Sequence, residues 1–115
     1  MKMIKLKRVY EKPSPEDGIR VLVERFWPRG ISKDKARIDL WTKELAPSDG
    51  LRKWYGHSPA RWPVFRDLYR AELGRNKEAV AALRKKTVKR RVTLVFATRD
   101  IDQSSAAVLK EYLDR

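Results

Sequence analysis

The sequence contains no cysteine, a single histidine and no long hydrophobic run, and each shortage excludes a class of function. Without cysteine, the 115-residue chain has no disulfide bond, no cysteine nucleophile and no cysteine-ligated zinc site. His57 alone cannot supply a pair of histidine metal ligands. No apolar stretch approaches the roughly 18–20 residues of a membrane span, and the N-terminus has no signal-peptide pattern. We therefore expect a cytoplasmic protein with no membrane partner, no metal and no cofactor.

Amide side chains are also scarce, because Asn76 and Gln103 are the sole asparagine and glutamine. Charged residues make up 37% of the chain. Few thermolabile residues beside many charged ones are typical of proteins that work at high temperature. The composition favours a thermophilic source, although a GC-rich genome also increases the arginine content.

Positive charge is abundant: 28 lysines and arginines against 15 acidic residues give a net charge of +13. The densest region is the basic cluster, which consists of Arg84, Lys85, Lys86, Lys89, Arg90 and Arg91. Such a field attracts polyanions, so one hypothesis is a module that binds nucleic acid through its phosphates. The alternative is that these side chains are a solvated helix end, where cations also favour the helix dipole.

The order of apolar segments predicts the fold class. Alternating or continuous apolar runs predict strands at residues 3–10, 19–24 and 92–97. Amphipathic patterns and capping residues predict helices over residues 33–45, 51–55, 58–74, 76–86 and from 103 onward. Long crossovers favour parallel pairing between the strands at 19–24 and 92–97. We predict a single α/β domain over residues 1–115, with a small, mostly parallel sheet flanked by helices.

Aromatic residues are spaced as a helix core would require. Trp62, Phe65, Tyr69 and Leu73 fall on one face of the helix predicted at residues 58–74. Aromatic residues among basic ones also occur where nucleic acid bases stack. We interpret this stripe as core because it follows the helical period.

Two loops follow the predicted strands, and ligands of open α/β sheets bind at this edge. Residues 25–30 carry Arg25, Trp27 and Arg29, and the other loop places Arg99 before Ser104 and Ser105 at a helix N-terminus. Free N–H groups and the helix dipole favour an anion there. In the alternative interpretation, the serines only cap the helix and the Trp27 ring only packs. The arginines then pair with acids such as Glu24, Glu44 or Asp100.

His57 is the one side chain whose ordinary pKa lies near 7, which makes it a candidate for acid–base catalysis. It directly precedes Ser58 and Pro59, a pattern typical of a helix start. The structural interpretation is that its ring only folds over that helix end.

Several motifs together resemble the YeaO-like proteins, small prokaryotic proteins grouped as a domain of unknown function. The resemblance rests on residues 17–33, with the run Arg25-Phe26-Trp27-Pro28-Arg29-Gly30, and on residues 43–48 and 51–57. Residues 92–95 with Arg99-Asp100 also match. The family has no agreed biochemical function, so the resemblance implies that the matching polar positions form a site without naming its ligand.

These observations lead to two hypotheses about function. The first is that the protein binds an anionic small molecule, bearing a phosphate or carboxylate, in an arginine-lined crevice at the carboxyl ends of the strands. Its predicted ligand-binding residues are Arg25, Trp27, Arg29, Arg52, Arg99, Ser104 and Ser105. The candidates for acid–base chemistry are His57, Asp100 and Glu44, with no reaction specified. The second hypothesis is nucleic-acid binding through the basic cluster and the lysines and arginines of residues 61–91.

Overall fold

Four parallel strands form the centre of the fold, which the computed structural model describes for residues 4–115. The strands are β1 (Ile4–Arg8), β2 (Ile19–Leu22), β3 (Leu40–Trp41) and β4 (Val92–Phe96), in the spatial order β1-β4-β2-β3. Ile19 lies opposite Val92 in the parallel pair of β2 and β4. The predicted α/β class and the predicted pairing of these two strands are confirmed.

Within residues 4–115, five helices and three short 3-10 turns accompany the strands. The helices are α1 (Lys33–Ala36), α2 (Asp49–Tyr55), α3 (Trp62–Arg75), α4 (Lys77–Lys89) and α5 (Ser105–Leu113). The 3-10 turns are Pro15–Asp17, Lys43–Leu45 and Pro59–Arg61. None of the helices within residues 4–115 is long and apolar enough to cross a bilayer.

The core lies on both faces of the sheet, because every residue of β4 is buried. On one face, Val21, Leu94 and Phe96 pack against the apolar sides of the longer helices. Phe65, Tyr69 and Leu73 of α3 belong to this larger cluster, which confirms their interpretation as core. On the other face, a smaller cluster around Leu22 and Val95 is covered by the segment from residue 27 to 41.

The predicted helix over residues 33–45 is wrong beyond its first turn. Arg37 has left-handed backbone angles (φ 50°, ψ 48°), so α1 ends at Ala36. The Asp39 carboxylate then accepts a hydrogen bond from the Arg20 N–H (2.8 Å), and Leu40–Trp41 pairs with β2. Asp39 and Lys43 are therefore not neighbours on a helix surface. Pairing with the edge of β2 outweighs the helical spacing of the apolar residues.

Three other helix boundaries also differ from the predictions. Ser58 forms no side-chain cap, and a 3-10 turn precedes α3, which begins at Trp62. Gly74 does not end α3, which continues to Arg75. The Asn76 side chain does not cap α4 but donates a hydrogen bond to the carbonyl of Glu44 (2.6 Å). Tertiary contact replaces local capping at this helix junction.

A buried ion-pair network orders the amino-terminal edge of the sheet. Asp17 is fully buried and accepts hydrogen bonds from Lys7 (3.1 Å), the Arg20 guanidinium (2.6 Å) and the Ser14 N–H (3.0 Å). Burial alone would raise the pKa of Asp17, but these contacts outweigh it and hold the pKa below its usual value. The network fixes the loop before β2.

Candidate functional site

A cavity of about 430 Å³ opens at the carboxyl ends of β2 and β4. Glu24 and Arg25 line it from the segment after β2, and Ala97 and Thr98 line it from the segment after β4. This is the edge of the sheet where α/β proteins bind ligands. The remaining walls come from α2, α3, α5 and the segments beside them, through Ala46, Pro47, Arg52, Lys53, Tyr55, Gly56, His57, Phe65, Gln103, Ser104 and Ser105.

Glu24 joins the two strand ends at the base of this site. Its Oε2 atom accepts a hydrogen bond from the backbone N–H of Ala97 (2.8 Å), and its backbone carbonyl accepts one from the Trp41 indole (2.6 Å). Its Oε1 atom has no hydrogen-bond partner among residues 4–115. Burial raises the pKa of Glu24, and the bond from Ala97 with the charges of His57 and Arg52 partly offsets this effect.

Two arginines of the predicted set line the cavity and are held differently. Arg25 donates from Nε to the carbonyl of Pro47 (3.1 Å) and from Nη2 to that of Ala46 (3.4 Å). Arg52 pairs with Asp49 on α2 (2.6 Å), and its guanidinium lies 5.3 Å from the centre of the Phe26 ring. Arg25 is therefore fixed by carbonyl groups, whereas Arg52 is an exposed cation at the rim.

Aromatic rings form one wall of the cavity. Tyr55 stacks on Phe65, with ring centroids 4.4 Å apart, and the His57 ring lies 5.9 Å from Tyr55. Burial and the negative charge of Asp100 raise the pKa of Tyr55. The Tyr55 hydroxyl has no hydrogen-bond partner within residues 4–115, so it can serve a ligand.

The N-terminus of α5 meets the cavity, and its two serines differ in role. The Ser104 hydroxyl accepts the Ala107 N–H (3.1 Å) and donates to the carbonyl of Ile101 (2.7 Å). Ser104 is thus the helix cap of the alternative interpretation. Ser105 has no side-chain hydrogen bond within the described chain and lines the same cavity.

Three predicted ligand-binding residues lie outside the cavity lining. The Trp27 indole donates to the carbonyl of Ile31 (2.8 Å) and meets Trp41 edge-on, so its ring packs on the opposite face of the sheet. Arg29 is exposed, and its carbonyl accepts a hydrogen bond from the Tyr10 hydroxyl. Arg99 is also exposed and forms no ion pair with Asp100. The geometry brings Arg25 and Arg52 together, but not Arg29 and Arg99.

The three acid–base candidates are separated in the structure. His57 lines the cavity and has a left-handed backbone (φ 57°), directly after Gly56 in the same conformation. Asp100 is exposed and accepts the Gln103 N–H (3.1 Å). Glu44 lies in a separate pocket of about 150 Å³ that borders Arg25. Within residues 4–115, neither Arg25 nor Arg29 forms an ion pair with Glu24 or Glu44.

Sequence reasoning did not include Glu24 and Tyr55 among the site residues, although both line the cavity. The signal for Glu24 was its position as the first acidic residue after the apolar run 21–23, at the end of a strand. Tyr55 packs in the core and also lines the cavity. Lys53, Thr98 and Gln103 also line the cavity without having been predicted.

The basic cluster lies at the opposite edge of the sheet, where α4 leads into the start of β4. Lys85, Lys86, Lys89 and Arg90 are exposed and form no ion pair within residues 4–115. The two remaining members are engaged: Arg84 donates to the carbonyl of Tyr112 (2.8 Å), and Arg91 donates to that of Glu16 (3.1 Å). Within the same described residues, no group of three acidic or histidine side chains has the arrangement of a metal site.

Comparison with known proteins gives relatives over almost the whole chain. A family model described as the inactive DUF488-N3 subclade matches residues 3–115. The chain is 48% identical over 111 residues to the uncharacterized protein Rv3073c of Mycobacterium tuberculosis (strain H37Rv), covering 96% of this chain and 93% of that protein. It is 37% identical over 110 residues to the uncharacterized protein YeaO of Escherichia coli (strain K12), covering 96% of each. No solved structure matches the chain.

Proposed function

For this chain, which belongs to the inactive DUF488-N3 subclade, we propose that the cavity binds an anionic small molecule that bears a phosphate or carboxylate group. Membership also confirms the resemblance to the YeaO-like proteins. The description of the subclade as inactive favours a binding role over turnover. His57, Asp100 and Glu44 stay candidates for acid–base chemistry, and no reaction is assigned to them.

One observation carries the proposal: cationic groups from two separate segments converge on a cavity that also receives a helix N-terminus. Arg25 follows β2, Arg52 and Lys53 lie on α2, and Ser105 begins α5. Charge-assisted hydrogen bonds from guanidinium groups and N–H groups of a helix start are the usual means of binding phosphate or carboxylate.

Arg25 and Arg52 have complementary roles in this proposal. Hydrogen bonds to Pro47 and Ala46 hold Arg25 in one orientation, which reduces the entropy lost when it binds an anion. Arg52 has about half of its side chain exposed, so it can exchange its contact with Asp49 for one with a ligand.

Thermal unfolding in the presence of anions tests the proposal. Phosphate, sulfate and a series of carboxylates are added at equal ionic strength, and a ligand at 100 times its Kd adds roughly 2.7 kcal/mol of stability. We expect a rise in Tm of several degrees with at least one anion. Arg52→Gln should reduce that rise, whereas Arg75→Gln, at an exposed site on α3, removes the same charge and should retain it. Equal responses of both variants would contradict the cavity as the site.

A second candidate function is nucleic-acid binding at the basic cluster. The observation that favours it is the set of four exposed cations without ion-pair partners in the described chain, because such groups release counterions when they meet phosphates. The cluster and the cavity lie at opposite edges of the sheet. Binding at one site therefore does not require the other.

A salt titration with duplex and single-stranded DNA tests this second function. The affinity should fall steeply between low and moderate salt, with a log–log slope of about −0.9 per phosphate contact on a duplex. Replacing Lys85, Lys86 and Lys89 together by glutamine should flatten the slope by up to about three contacts. The matched control replaces the exposed Lys12, Lys33 and Lys35 by glutamine and should leave the slope nearly unchanged. An affinity that does not depend on salt would exclude the function.

A further inference from the structure

The size of the cavity exceeds what a simple anion needs. Its volume of about 430 Å³ lies within the roughly 300–1,000 Å³ typical of pockets for small organic molecules. An inorganic phosphate at the arginines would leave most of this space to water. The ligand that fits therefore has a body as well as a charged group.

The chemistry of the wall indicates what kind of body this is. Tyr55 and Phe65 stack on one another and both line the cavity, with the exposed ring of His57 beside Tyr55. Ala46 and Ala97 add further apolar surface. Flat aromatic rings pack well on such a wall, through offset stacking or edge-on contact.

Glu24 adds a requirement that an anion alone does not meet. Its Oε2 atom accepts a hydrogen bond from the Ala97 N–H, its Oε1 atom has no hydrogen-bond partner within residues 4–115, and the residue lines the cavity. A carboxylate in this position repels an anionic group and accepts a hydrogen bond from a donor. A ligand gains from Glu24 only if it carries an N–H or O–H group at some distance from its negative charge.

Resting on the proposed function, we infer that the cavity selects an aromatic anion that also carries an N–H or O–H donor. Its charged group reaches Arg25 and Arg52, its ring packs against Tyr55 and Phe65, and its donor meets Oε1 of Glu24. The arginines and Glu24 thus recognise different groups of one molecule. The class is that of ring-bearing carboxylates or phosphates with an amino or hydroxyl substituent.

A matched set of carboxylates separates the three parts of this inference. Acetate has the charge alone, benzoate adds the ring, and the three isomers of aminobenzoate add a donor at different positions. Binding is measured by calorimetry or by ligand-observed NMR at neutral pH, where all five probes are anions. We expect benzoate to bind at least fivefold more tightly than acetate, and one aminobenzoate isomer at least fivefold more tightly than benzoate.

Two variants assign these gains to the residues named. In Glu24→Gln, the Ala97 N–H requires the amide oxygen, so the amide N–H₂ faces the cavity and the acceptor is lost. This variant should bind benzoate at least as tightly as the unmodified chain does, because a repulsive charge is removed, but lose the gain from the amino group. Tyr55→Leu should lose the gain from the ring. Tyr10→Leu, at an exposed tyrosine away from the cavity, is the matched control, and circular dichroism checks the fold of each variant.

The outcomes distinguish this inference from the proposed function. If acetate, benzoate and the aminobenzoates bind equally, the inference is overturned while anion binding stands. The inference also fails if a gain from the amino group persists unchanged in Glu24→Gln. If none of these probes binds and neither phosphate nor sulfate raises Tm, the proposed function fails together with the inference.

Discussion

The Glu24 carboxylate and the backbone N–H of Ala97 are joined by a 2.8 Å hydrogen bond that ties the end of β2 to the end of β4. The bond holds a negative charge inside a cavity whose other charged groups are mainly cations. We therefore expect Glu24 to weaken the binding of simple anions in the cavity, whereas Arg25 and Arg52 strengthen it. The balance between these charges can be measured through single substitutions.

Glu24→Gln should strengthen the binding of sulfate, a small anion without a donor. Removing a repulsion of about 1 kcal/mol corresponds to a gain in affinity of roughly fivefold. Calorimetry at pH 7 measures the change. Glu78→Gln removes an exposed carboxylate on α4 and should leave sulfate affinity unaltered. Weaker binding by Glu24→Gln would show that the carboxylate supports the anion site, contrary to our expectation.

The affinity for sulfate should also rise as the pH is lowered. Because burial raises the pKa of Glu24 above its ordinary value of 4.5, the carboxylate is neutralised at a higher pH than an ordinary glutamate. Sulfate keeps its charge there, so a change in affinity reports on the protein.

The variant Glu24→Gln tests whether this carboxyl group causes the rise. The rise on acidification should disappear in Glu24→Gln, because the amide has no negative charge to lose. Isothermal titrations at intervals of half a pH unit measure the profile of each protein. An unchanged pH profile in Glu24→Gln would place the sulfate away from this carboxylate.

Asp17→Asn should destabilise the fold strongly, because it leaves Arg20 and Lys7 without their buried partner. Breaking a buried ion pair from one side costs about 3–5 kcal/mol, which denaturant unfolding at pH 7 measures. Asp114→Asn removes an exposed partner of Lys110 and should cause a much smaller loss. A loss no larger than that of the control would mean that the network adds little to stability.

The lowered pKa of Asp17 also predicts how the free energy of unfolding depends on pH. The pKa of Asp17 is lower in the folded chain than its ordinary value of 3.8, so the folded state prefers the ionised form. Its contribution is complete above pH 3.8 and is lost as the pH falls through the folded pKa. The difference in unfolding free energy between the unmodified chain and Asp17→Asn should therefore narrow at the lowest pH values.

Periodicity in the sequence was sufficient to predict the centre of the fold. The run at residues 92–97 is apolar at nearly every position, as a strand buried on both faces requires, and β4 fills that role. The edge strand β3 was not predictable in this way. Its two residues fall within a helical pattern, and only their pairing with β2 and the left-handed Arg37 reveal a strand. Short edge elements depend on tertiary contacts that no local pattern records.

The site was predictable in position but only partly in composition. The rule of strand ends located the cavity and Arg25, and the family resemblance added Arg52; both residues line the cavity. The rule does not show which side chains of a loop line the cavity. Arg29 and Arg99 were therefore predicted as ligand-binding residues, although they lie outside the lining. Glu24 was overlooked as a site residue because a search for an anion site directs attention to cations.

Gly18 provides a final prediction, on backbone geometry at the amino-terminal edge of the sheet. It has a positive φ of 65°, and a Cβ atom there would lie 2.2 Å from the carbonyl oxygen of Arg91. That carbonyl accepts the Ile19 N–H (2.9 Å), so it cannot move away without weakening the start of β2. Gly18→Ala should therefore destabilise the fold by at least about 1–3 kcal/mol. Gly50→Ala is the matched control, because Gly50 lies within α2 with open space around it and should gain up to about 1 kcal/mol. Denaturant midpoints that shift equally in the two variants would contradict the close packing of Gly18 against Arg91.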